Sequence, residues 1–105
     1  MLFQLSMFPT TKRSKDGSVS EDVARVIDIV DKSGLPYKTG SMATVIEGEW
    51  EPVMKVINKA RLMLRRRGHN RIYIIIHVDD RKGAKKRLTG KVESVELRLG
   101  REVSK

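Results

Sequence analysis

The chain has 105 residues, with 22 Lys and Arg against 13 Asp and Glu, a formal net charge of +9, 39% hydrophobic residues and no cysteine. That length makes one domain (1–105) with one core and leaves no room for a second. The missing cysteines exclude disulfides, thiolate metal sites and Cys nucleophiles, and no apolar run approaches the ~18 residues that a membrane span needs. Met1 to Phe8 is apolar but lacks the basic lead and long apolar stretch of a signal peptide, so a soluble cytoplasmic chain is expected. A pI near 10.2 raises anionic partners, nucleic acid among them. Arg65 to Arg67 end a helix, where cations suit the macrodipole. Lys82, Lys85, Lys86 and Arg87 share one loop, read as a solvated segment with phosphate contact as its alternative.

Met1 to Phe8 alternates, with Phe3, Leu5 and Met7 on one side and Gln4, Ser6 and Phe8 on the other. That period of two predicts a strand with one face in the core. Pro9 cannot donate to a ladder and is expected to end it. After a polar loop over 10–17, Ser18 with Glu21 fits a capping box, and Ser20 competes as N-cap. Val23, Val26, Ile27 and Val30 recur at helical spacing, and Gly34 supplies the stop. Pro36 to Thr39 and Ala43 to Glu47 read as two short strands joined through Gly40, Ser41 and Met42.

Trp50 to Arg67 is expected as the second helix, with Val53, Val56, Ile57, Ala60 and Leu64 inward and Pro52 tolerated in its first turn. Arg71 to Asp79 is the strongest strand pattern, with Ile72, Ile74, Ile76 and Val78 on one face and Tyr73, Ile75, His77 and Asp79 on the other. Thr89 is placed as the cap of a last helix ending at Leu99. The order βαββαβ plus a helix gives an α+β class. With right-handed crossovers it is the ferredoxin-like split motif, an antiparallel four-stranded sheet with both main helices on one face and an extra C-terminal helix. The opposite sheet face would show Gln4, Ser6, Phe8, Tyr73, Ile75 and His77, with Thr44 and Ile46 if that strand is phased outward. Such a face is too apolar for water, so another subunit is expected to cover it.

Thr44-Val45-Ile46-Glu47-Gly48-Glu49-Trp50-Glu51-Pro52-Val53-Met54 runs an apolar strand through an acidic turn into a helix. Glu49 and Glu51 suit a helix N-terminus without any function. Glu47 precedes Gly48 at a strand end, where its side chain can be aimed across the sheet. The segment resembles the signature T-x-I-E-G-x-W-x-x-V-M of the MTH1187-like thiamine-binding family of small archaeal, bacterial and fungal proteins. Further matches follow in order: the first strand ending in Pro9, Ser18-Val19-Ser20, Arg71-Ile72, Asp80-Arg81, Lys91-Val92-x-x-Val95 and Leu99-Gly100. The Arg65–Arg67 run and the 82–87 loop are more basic than that pattern. The resemblance implies the same ferredoxin-like fold, a small-molecule ligand (thiamine or a related pyrimidine) and a homo-oligomer built as a dimer of dimers.

Catalysis has little support. Ser6, His77 and Glu47 could share one sheet face, but no nucleophile elbow or glycine-built oxyanion hole accompanies them. The two histidines, His69 and His77, lack metal-ligand spacing, and no phosphate-cradling glycine motif is present; neither cofactor nor metal is expected. RNA-recognition domains share this topology, yet only Phe8 and Tyr73 could serve as stacking residues, so an RNA-binding module stands second.

For a thiamine-like ligand, Glu47 could face the thiazolium or accept from the pyrimidine amine, and Trp50 or Tyr37 could lie on a ring face. Ser6, Thr39, Ser41 and Thr44 supply hydroxyls of either sense. Each has a plainer role. Trp50 can anchor a helix, Tyr37 cover an edge, Thr44 serve as a strand former and Ser41 as a turn residue, while Glu47 can pair with Arg71 or Arg81. The expected site lies at the hairpin edge near Glu47, completed by a neighbouring subunit.

Overall fold

The computed structural model describes residues 1–10, 20–83 and 87–101. The elements are β1 (Leu2–Pro9), α1 (Ser20–Lys32), β2 (Tyr37–Thr39), β3 (Thr44–Glu47), α2 (Trp50–Arg66), β4 (Ile72–Asp79) and α3 (Arg87–Leu99). The strands form one four-stranded sheet in the order β2-β3-β1-β4, with every neighbouring pair antiparallel. This is the expected ferredoxin-like arrangement, with an extra helix at the end. The Ser18 capping box lies outside the described residues; α1 runs from Ser20.

The core is the face that the alternation picks out. Phe3, Leu5 and Met7 of β1 are buried against Val26 and Val30 of α1 and Val53, Ile57, Ala60 and Leu64 of α2. Ile72, Ile74 and Ile76 of β4 complete the layer. Gly48, between β3 and α2, packs so tightly that a Cβ there would stand 2.8 Å from Val53 Cγ2.

Three expectations need correction. Thr44 and Ile46 do not face outward: they pair with Leu5 and Phe3 and are 8% and 0% exposed. Val45 and Glu47 take the outer face instead. Val78, expected inside, is exposed, because β4 is the sheet edge. Pro9 ends β1 as expected, still paired with β4 opposite Ile72. Lastly, α3 already runs at Arg87, so Thr89 lies within its first turn rather than at its cap.

A polar clamp joins the start of α1 to the end of α2. Asp22, buried on α1, accepts from Arg67 Nε at 2.7 Å and from His69 Nε2 at 3.1 Å. His69 is 1% exposed; its Nδ1 has no hydrogen-bond partner among the described residues. Burial pushes the Asp22 carboxyl up, but the hydrogen bonds from Arg67 and His69 outweigh it and hold the group below its ordinary value. A carboxylate with a depressed folded-state pKa stabilises the fold above the ordinary aspartate range and loses that contribution as pH falls through the folded value. Asp22→Asn should therefore cost about 1–3 kcal/mol at neutral pH. In denaturant titrations at several pH values, its gap from the natural chain should narrow steadily on acidification.

Candidate functional site

β3 is shorter than the strand it pairs with. Its register ends at Thr44 opposite Leu5, while β1 continues to Pro9 with β4 alone beside it. The missing stretch leaves a gap along β1. The chain turns there through Gly40 to Ala43, with the Gly40 N–H donating to Ala43 O at 2.9 Å. That turn roofs the gap, and α1 closes it from the helix side through Val23 and Ile27. The result is a cavity of about 230 Å³.

Leu5, Met7, Val26 and Val30 make its walls apolar, and Ser6, Thr39, Ser41 and Thr44 bring hydroxyls to it. No charged side chain lines it among the described residues. The Thr39 and Thr44 hydroxyls stand 3.1 Å apart, and either can donate. One shared bond uses one of two hydroxyl hydrogens, so the pair retains a donor and several lone pairs for a guest. Ser6 Oγ donates to Met42 O at 3.2 Å and ties the turn to β1. Met42 itself is 88% exposed at the lining of the same cavity. Its flexible thioether suits contact with an aromatic ring.

The seven residues singled out from the sequence thus divide. Ser6, Thr39, Ser41 and Thr44 meet around one cavity; Glu47, Tyr37 and Trp50 do not line it. Glu47 lies on the opposite sheet face from Thr44, since neighbours in a strand alternate. Its Oε1 accepts from the Leu88 N–H at 3.2 Å, in the first turn of α3. A carboxylate there satisfies an otherwise orphaned donor and suits the helix dipole. Tyr37 donates its hydroxyl to Asp31 at 2.7 Å, a bond that raises the phenol above its ordinary pKa. Trp50 packs against Phe3, with ring centroids 5.8 Å apart.

Docking of α3 makes a second cavity, about 330 Å³, over the outer face of the sheet. Gln4, His77 and Asp79 are its polar lining, and Leu2, Val45, Leu88 and Val92 are among its apolar lining. Farther along that face Phe8 and Tyr73 stack on each other at 5.6 Å, rather than standing apart to receive bases. Among the described residues no three His, Asp or Glu side chains gather as a metal site would require.

Removing the Glu47 carboxylate should loosen α3 without unfolding the core. Glu47→Ala should destabilise that helix by about 1 kcal/mol. Hydrogen exchange should show faster exchange at Leu88 and its neighbours, with β1 and α2 amides unchanged.

The family model described as thiamine-binding protein matches residues 3–96. A UPF0045 protein of Mycobacterium bovis is 39% identical over 96 residues, covering 90% of this chain and 93% of its own. Among solved structures, a hypothetical protein of Methanocaldococcus jannascii superposes with a TM-score of 0.78 at 24% identity, covering 90% of this chain and 93% of its own. A candidate thiamine biosynthesis/salvage protein of Thermotoga maritima gives a TM-score of 0.76 at 22% identity, with 90% and 96% covered. A family match that spans most of the chain, joined to the same fold, decides the matter: this chain belongs to the thiamine-binding protein family.

Proposed function

We propose that this chain binds thiamine or a hydroxymethylpyrimidine-type precursor in the cytoplasm, without catalysis, in the cavity beside β1. The observation that carries this reading is the uncharged, hydroxyl-lined gap where β3 falls short of β1. Ligand sites are concave, mostly apolar and fitted with a few polar groups, and the cavity answers that description. Its volume is about 230 Å³. That is room for one substituted ring. The aminopyrimidine would enter, with the thiazolium and any phosphate directed outward, because among the described residues the lining holds no carboxylate for a cation and no base for a phosphate.

This reading moves the site away from Glu47. Glu47 then holds α3, Tyr37 ties β2 to the end of α1, and Trp50 covers Phe3. A binder without catalysis is supported by the bonding of Ser6, whose hydroxyl donates to a carbonyl rather than to a base.

The outer sheet face supports the expected assembly. Phe8, Tyr73 and Ile75 are 37%, 47% and 41% exposed, and Leu97 of α3 is 84% exposed. Apolar surface of this kind is covered when copies associate, so a homo-oligomer of dimers completes the proposal.

Titration calorimetry on protein freed of carried-over ligand by unfolding and refolding tests the binding. Thiamine and hydroxymethylpyrimidine should give micromolar or tighter binding. Thr44→Val should weaken it about tenfold, ~1.4 kcal/mol, as for one lost hydrogen bond. Glu47→Gln should leave affinity within about twofold, ~0.4 kcal/mol. Absence of heat with thiamine, thiamine phosphate and the pyrimidine alike would overturn the proposal. Light scattering should give a multiple of the 12.0 kDa chain mass; a monomer would contradict the assembly.

A further inference from the structure

The main chain of β1 alternates its hydrogen-bonding side. On the β3 side, the Gly48 N–H donates to Met1 O at 3.0 Å; on the β4 side, the Thr10 N–H donates to Arg71 O at 3.1 Å. In an antiparallel ladder bonded and non-bonded positions alternate. The odd-numbered residues of β1 therefore turn their N–H and C=O toward β3, and the even-numbered ones toward β4. Phe3 and Leu5 meet Ile46 and Thr44 in this way. Pro9 is tolerated for the same reason: its missing N–H would face away from β4.

Met7 is the first to break this pattern. It is the next residue to turn toward β3, but β3 begins only at Thr44. No other backbone group in the turns and loops bonds to Met7 among the described residues. Met7 is 5% exposed and lines the cavity. A buried N–H and C=O without partners are rare and costly.

We propose that the Met7 main chain is the recognition edge of this cavity. Its N–H donates to a ring nitrogen, and its carbonyl accepts from an amino group on the adjacent carbon of a planar heterocycle. Such an amidine-type edge offers the acceptor and donor that another β3 residue would have offered, so the ligand completes the ladder where β3 stops. The inference rests on the pyrimidine-binding reading and names the atoms that would read the ring. It also assigns selectivity to the backbone, which side-chain substitution does not remove.

The test is amide hydrogen exchange by NMR, free and saturated with 4-amino-5-hydroxymethyl-2-methylpyrimidine. In the free protein the Met7 amide should exchange faster than those of Leu5 and Phe8. Saturation should slow it at least about tenfold, and the analogue lacking the 4-amino group should bind about tenfold more weakly, ~1.4 kcal/mol. Met7→Pro removes an N–H that bonds no strand, together with the buried Met7 side chain, and should abolish most affinity; Met7→Ala, which keeps the N–H, should retain more of it, with circular dichroism confirming that each variant folds. If Met7→Pro does not fold, the exchange data on the natural chain decide alone. Normal binding heat with Met7 exchange unchanged would overturn this inference and leave the binder reading standing. Absence of binding heat from the pyrimidine and from thiamine would overturn both.

Discussion

The placement of β1 between two strands of unequal length governs the rest of the molecule. β4 pairs with it over eight positions and β3 over four. Where both neighbours are present, side chains fill the helix-facing layer and the main chain is satisfied. Where β3 is missing, the sheet has a gap bounded by α1 and the Gly40–Ala43 turn. The core and the candidate site are thus successive stretches of one strand: Phe3 and Leu5 serve the first, Ser6 and Met7 the second.

The acidic junction has a structural role of its own. In a chain of net charge +9, Glu47 invites assignment to a cationic ligand. Coulomb attraction at an intermediate dielectric would support that, at roughly 4 kcal/mol for a pair 4 Å apart before desolvation. The carboxylate instead meets the first turn of α3, where it satisfies a backbone donor. The neighbouring Gly48 has its own constraint, since α2 crosses too close for a side chain. Those two residues are explained by the way β3 hands the chain to α2 and receives α3.

Most of the fold was legible because long periodic segments leave little choice. β1 and the first part of β4 alternate cleanly, and α2 keeps Val53, Ile57, Ala60 and Leu64 on one stripe. The phase of β3 was not legible. Thr44-Val45-Ile46-Glu47 places an apolar residue on each face, and four residues give period two little to choose between. Only the pairing of Ile46 with Phe3 and Thr44 with Leu5 decides it. That phase also sends Thr44 and Glu47 to opposite faces. The Asp22–His69 clamp was equally hidden, since its partners stand 47 positions apart and neither carries a local signature. Thr39, Ser41 and Thr44 flank one turn and Ser6 donates to its Met42 carbonyl, so these four hydroxyl residues meet at one cavity.

The central claim is that a pyrimidine-bearing ligand enters the gap beside β1 rather than the space beneath α3. A heteronuclear NMR titration with thiamine tests it most directly. Resonance shifts should concentrate at Leu5 to Phe8 and Thr39 to Thr44, with Glu47, His77 and Leu88 unmoved. Shifts centred on Glu47, His77, Asp79 and Leu88 would place the ligand under α3 and contradict it.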